Sequence, residues 1–159
     1  MKGGGHEFKF NSLTNEVKGK LGTAGNKWRY VTPGLNMEGK CMNEKCDFYK
    51  KTNVIFQVGL GKKEIGKLTC KSECPGCKQK LRNVSNMIFS ECKYSYEGTI
   101  NMDPENEDAE HKEVKKSGET ERDGYATFEK EGFKDLKNWI YLEVTCEKYW
   151  FNITNNKLL

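Results

Sequence analysis

The residues best equipped for chemistry in this chain are its cysteines. CKSECPGCKQ, residues 70–79, opens with three of them in eight positions, and CMNEKC at residues 41–46 carries two more. Cys74 and Cys77 form a CPGC pair, in which Pro75 pre-sets one backbone angle and Gly76 permits a positive φ as a tight turn closes. Cys41 and Cys46 form the looser CxxxxC half. Two such pairs, separated by a strand-sized segment, can place four thiolates at the corners of a tetrahedron, each pair on a turn whose amides face the sulfurs. Cys41, Cys46, Cys74 and Cys77 are therefore the expected metal ligands, and Zn2+ the expected cofactor. Four thiolates leave no open position for water, so the ion would be structural rather than catalytic.

Other chemistries fit the same stretch less well. Cys70, Cys74 and Cys77 spell CxxxCxxC, the spacing of a radical SAM iron–sulfur motif. That family usually has an aromatic before the third cysteine, where Gly76 stands, and needs a large α/β barrel. The 82 residues after Cys77 show no strand and helix alternation from which to build one. GKKEIGK, residues 61–67, fits GxxxxGK, but Leu68 occupies the position where a nucleotide-binding loop needs Ser or Thr to reach magnesium, so the stretch reads as a basic β-turn. The two histidines, His6 and His111, fall in a glycine-rich start and an acidic stretch, neither beside a nucleophile. No GxSxG or HExxH occurs. The chain reads as a non-enzyme with no small-molecule substrate. Cys92 and Cys146 fall on apolar strand faces and are expected as small buried hydrophobes, while Cys70 could replace Cys74 as a ligand by a local shift, at the cost of the CPGC turn geometry.

The elements that must position the cysteines read as strands. NVIFQVG, residues 53–59, puts Val54, Phe56 and Val58 on one face and Ile55 and Gln57 on the other. MIFSECKYSY, residues 87–96, alternates as one strand with Ile88, Cys92, Tyr94 and Tyr96 together. Trp139 to Cys146 places Ile140, Leu142, Val144 and Cys146 against Tyr141, Glu143 and Thr145. EKEGFKDLKN, residues 129–138, has the composition of a helical turn, and residues 13–27 read as extended or irregular.

Composition narrows the class further. With 35% hydrophobic residues, 31% charged and a mean hydropathy of −0.85, the core must be small and in need of a metal or a partner surface. The 159 residues suit one domain. No apolar run is long enough to span a membrane, and MKGGGHEFKF has no apolar export signal, so a reducing intracellular compartment is expected, the cytoplasm first. There, seven cysteines are metal ligands or buried thiols rather than disulfides. The net charge of +4 conceals a split, because residues 101–124 hold nine acids and four Lys/Arg, leaving the remainder at +9. That segment has no aromatic residue and only Val114 as a branched aliphatic, which predicts a flexible acidic loop or a long hairpin tip.

KWRYVTPGLNMEGKC (residues 27–41), Cys46 with Tyr49, the VGLG turn, CPGC and ECKYSYEG (residues 91–98) together resemble a cysteine-rich domain of protist and other eukaryotic proteins. Its pattern runs GLNxxGxC, NxxC, CPxC and CxYxxxG, sometimes downstream of ubiquitin-like repeats. The likeness covers about residues 27–98. It implies that Cys41, Cys46, Cys74 and Cys77 occupy metal-ligand positions and that Cys92 matches a further one. This chain departs from the pattern in lacking a ubiquitin-like repeat and in carrying the acidic segment.

The fold expected is mainly β, with a small α+β arrangement as the variant: a zinc-ribbon-like core of antiparallel strands. Residues 1–26 would be a Gly/Lys-rich tail, 27–100 the cysteine-rich region, 101–124 the acidic loop, and 125–159 strands packing on the same domain. The expected role is a zinc-stabilised protein-interaction module or accessory subunit of a larger assembly, with Tyr149, Trp150 and Phe151 as the partner contact. RNA or DNA binding is the alternative.

Overall fold

A computed structural model describes residues 7–51, 53–106, 108–130 and 136–148. In chain order the strands are β1 (Phe8–Asn11), β2 (Glu16–Lys20), β3 (Gly34–Lys40), β4 (Val54–Gly59), β5 (Gly61–Glu64), β6 (Arg82–Ser90), β7 (Lys93–Asn101), β8 (His111–Glu119), β9 (Gly124–Phe128) and β10 (Leu136–Glu147). A single helical turn, α1 (Ile65–Thr69), follows β5, and a 3-10 turn spans Lys27–Arg29. The fold is mainly β, and every strand pairing is antiparallel. No helix among the described residues is long and apolar enough to cross a membrane.

The strands form two sheets. In one, β10 is the spine: β1 and β5 share one of its edges, β7 runs along the other, and β8 lies outside β7. In the second the order is β2-β9-β6-β3-β4. Their inward faces meet in one core, where Phe10, Trp139 and Leu142 of the first sheet join Leu35, Met37, Met87, Phe89 and Phe128 of the second, all at most 2% exposed. Phe89 of β6 stacks on Tyr94 of β7, with ring centroids 4.0 Å apart and planes 6° apart. Period-two patterning explains the faces: Tyr94, Tyr96 and Ile100 of β7 are buried, alternating with the less buried Ser95, Glu97 and Thr99.

Several expectations are corrected. The stretch 87–96 is two strands, since Glu91 adopts a φ of 45° where the chain leaves the second sheet and enters the first. Ile88 accordingly faces away from the core that receives Tyr94 and Tyr96. In β10 a bulge between Trp139 and Tyr141 inserts Ile140 as the extra residue, so the core takes Trp139 in place of Ile140. The expected tail contains β1 and β2, and Phe10 and Leu13 are fully buried. GKKEIGK is β5 running into α1 rather than a turn. The acidic segment, expected as a flexible loop or a long hairpin tip, belongs to a β7–β8 hairpin: its second half is β8, held by cross-strand pairs such as Glu97 with Lys115 and Lys93 with Glu119, and the connection lies between Asn101 and His111. Leu136 to Asn138, expected in a helical turn, open β10, while residues 131–135 lie outside the described residues.

One polar arrangement braces the outward face of the second sheet. Glu38 of β3, only 4% exposed, accepts from Arg29 Nη1 at 2.7 Å and Lys130 Nζ at 2.8 Å on one oxygen, and from Asn86 Nδ2 at 3.1 Å on the other. Arg29 also donates to the Asn53 carbonyl at 2.6 Å, tying the 27–30 segment to the start of β4. Two cations on one carboxylate supply the partners that a buried charge requires.

Candidate metal centre

Neighbouring strands β3 and β6 carry the two cysteine loops at one end of the second sheet, where Lys40 and Arg82 are register partners. Cys41 follows β3 directly, and Cys46 sits on the turn after it, with Cys46 N–H donating to Asn43 O at 2.9 Å. A second turn closes with Lys50 N–H donating to Cys41 O at 2.9 Å. Cys74 and Cys77 precede β6 on a loop closed at both ends by Cys74, whose N–H donates to Gln79 O and whose carbonyl accepts from Lys78 N–H, each at 2.8 Å. Lys78 takes the positive φ, 66°, at the end of this loop. A bridge between Glu73 and Lys80 fastens its base.

These loops bring the sulfurs of Cys41, Cys46, Cys74 and Cys77 within 4.8 Å of one another. Cys41 Sγ lies 3.8 Å from Cys77 Sγ, and Cys46 Sγ lies 3.8 Å from Cys74 Sγ. Disulfide bonding would need about 2.05 Å. A regular tetrahedron with metal–sulfur bonds of about 2.3 Å has edges of about 3.8 Å. The donor set therefore fits a tetrahedral metal ion. Backbone amides turn towards the sulfurs: Phe48 N–H donates to Cys46 Sγ at 3.3 Å, and Gly76 N–H to Cys74 Sγ at 3.4 Å. Such contacts offset negative charge on thiolates.

Electrostatics differ from sulfur to sulfur. Burial, reinforced by the neighbouring sulfurs, pushes the Cys41 thiol up to about 12 despite an opposing hydrogen bond from the Asn43 backbone. Burial likewise raises Cys46. At Cys77 burial is outweighed by hydrogen bonds from the Asn43 side chain, the Gln79 backbone and the Cys41 and Cys46 thiols, which bring it to about 7. Cys77 thus gives up its proton before Cys41 or Cys46, and a cation must displace protons from those two as it binds.

The remaining cysteines lie outside this group. Cys70 is exposed at the end of α1, its thiol 3.7 Å from Gly66 O. Cys92, which the resemblance matched to a further ligand position, is fully buried and hydrogen-bonds to the equally buried Cys146 of β10. That contact lowers the Cys92 thiol, while the same hydrogen bond together with burial raises Cys146. Tyr149, Trp150 and Phe151 lie outside the described residues. Three supporting residues had no signal in the cysteine spacing: Asn43, whose side chain reaches Cys77; Phe48, whose amide and ring both meet the site; and Trp28, whose ring packs 5.8 Å from that of Phe48. No protein-family model, curated protein or solved structure matches this chain.

Proposed function

We propose that the chain is a non-enzymatic, zinc-stabilised β module that binds another protein within a larger intracellular assembly. The observation that carries this reading is the set of four cysteine sulfurs within 4.8 Å, supplied by two loops at one end of β3 and β6. Zinc is the closed-shell ion suited to four thiolates, and with all four positions taken by protein it supplies rigidity rather than chemistry. Loops of this kind on neighbouring antiparallel strands form a zinc-ribbon-like core, to which the second sheet adds three further strands. A polar chain with such an ion has its stability coupled to the metal, since structural zinc contributes about 10 kcal/mol or more of apparent binding free energy in small domains.

Elemental analysis of the purified, folded chain tests the reading directly, with one zinc per chain expected. Iron at that stoichiometry, or no metal in a folded protein, would refute it. The second reading, nucleic-acid binding, draws on the eight Lys/Arg against three acids in residues 40–51 and 71–82, the two stretches that hold the cysteines. Phosphate contacts would show as affinity for generic RNA or duplex DNA that falls steeply with salt.

A further inference from the structure

Beside the cysteine loops the second sheet ends in an open edge. β4 is its terminal strand, and among the described residues no other strand pairs with its outer side. A groove of about 290 Å³ runs along this edge. One wall is Ile55, Phe56 and Gln57 of β4. Alternate residues of a strand face opposite sides of its sheet, and three in succession in the lining accord with β4 being an edge strand, where backbone N–H and C=O groups are offered. Lys27 and Tyr30 form the opposite wall, fixed by Gln57 Nε2 donating to Tyr30 O at 3.2 Å. The CPGC loop closes the groove with Pro75 and Lys78.

The lining states what would fit. Tyr30 is 58% exposed, one of the few large apolar side chains left in solvent among the described residues, and with Phe56 and Pro75 it offers an apolar seat. The volume lies at the lower limit of the ~300–1,000 Å³ typical of small-ligand sites, which suits a side chain or two of a longer segment rather than a free metabolite. Lys27 and Lys78 outnumber Glu73, the single acid of the lining, and Lys51 lies over the ring of Trp28, the chain neighbour of Lys27, at 5.2 Å. An acidic side chain is complementary to that balance. Glu73 in the groove, with Glu44 and Asp47 in the cysteine loops, interrupts the continuous positive track that a phosphate backbone needs.

We propose that this groove takes an extended segment of a partner protein, which adds a strand to the free edge of β4 and presents an acidic side chain to Lys27 and Lys78. The inference rests on the reading of the chain as a protein-interaction module and assigns that role a surface next to the candidate metal centre. Edge addition draws affinity from main-chain hydrogen bonds and specificity from pockets for alternate side chains.

The test pans phage-displayed random peptides on the zinc-loaded full chain and measures binding of the enriched sequences to variants. Enriched peptides are expected to carry Asp or Glu beside an apolar residue, and to protect β4 backbone amides from hydrogen exchange. Their affinity is expected to fall at least about tenfold with Tyr30→Ala or Lys27→Glu and to hold with Lys27→Arg. Folded, zinc-loaded protein that enriches no peptide, peptides without acidic residues, or variants that bind unchanged would overturn the proposal. So would binding of a single-stranded oligouridylate that the same variants abolish. Zinc is assayed in the same preparations, so a folded chain lacking zinc sinks the metal reading while the peptide result stands or falls by itself.

Discussion

A serine at position 74 keeps the side chain's size but replaces a thiolate donor with an alcohol that stays protonated at neutral pH. Cys74→Ser is expected to lose the metal and unfold the region around β3 and β6, measured as zinc released to a chelating dye and as lost circular dichroism. Cys70→Ser, altering an exposed thiol that contacts Gly66 O, should change neither. Gly76→Ala is subtler. A Cβ there would stand 3.0 Å from Cys46 Sγ and 3.0 Å from the Phe48 ring, so the loop must shift to admit it. Zinc affinity should drop about tenfold with the fold retained, the size of effect typical of groups that orient ligands, as a competition titration would record. The cluster of four cysteines was legible because its signal lies in local spacing. Asn43, Phe48 and Trp28 were not, because their part depends on how two loops meet.

Among the elements, the close approach of β7 and β10 is the tightest fit. A Cβ on Gly98 would come within 2.3 Å of Tyr141 O and 2.8 Å of Trp139 Cζ3. Gly98→Ala is therefore expected to destabilise the chain by about 1–3 kcal/mol, read from urea denaturation, whereas Gly25→Ala, with nothing within 4 Å, should be neutral. Gly98 meets β10 beside the Trp139–Tyr141 bulge, and that bulge is why strict alternation misplaced Ile140. A period-two reading finds a strand but not an inserted residue, which is settled by the partner strand. The alternation in MIFSECKYSY misled for a related reason: two strands of different sheets continue one pattern across a turn at Glu91 and Cys92. β1 and β2 escaped notice because they are four and five residues long, and β2 is mostly exposed.

At the scale of the whole molecule, two sheets of a sparsely apolar chain close over one core, and charge is distributed around it. The mainly β architecture was legible, since several strands each repeat with period two. The pairing was not, because partners such as β1 with β10 and β2 with β9 lie far apart in sequence. The turn that carries the chain from sheet to sheet makes stability depend on pH. Burial, together with the nearby Asp123 carboxyl, raises the Glu91 carboxyl above its ordinary value. A carboxyl raised in the folded state favours folding while protonated, and that contribution is lost as pH rises through the raised value. Glu91→Gln is thus expected to be more stable than the parent at pH 7, with the difference closing on acidification, as paired denaturation curves across the carboxylate range would show.

β10 gives this architecture a temporal consequence. It is the last of the ten described strands to leave a ribosome, yet β1, β5 and β7 all attach to it directly. Until it emerges, the strands made earlier for that sheet have no spine, and Phe10 and Ile100 have no Trp139 to cover them. During translation the nascent chain therefore holds β1 and β5 without their partner, only the β7–β8 hairpin of that sheet being able to form, while the second sheet can already pair, an interval in which a holding chaperone would find exposed apolar surface.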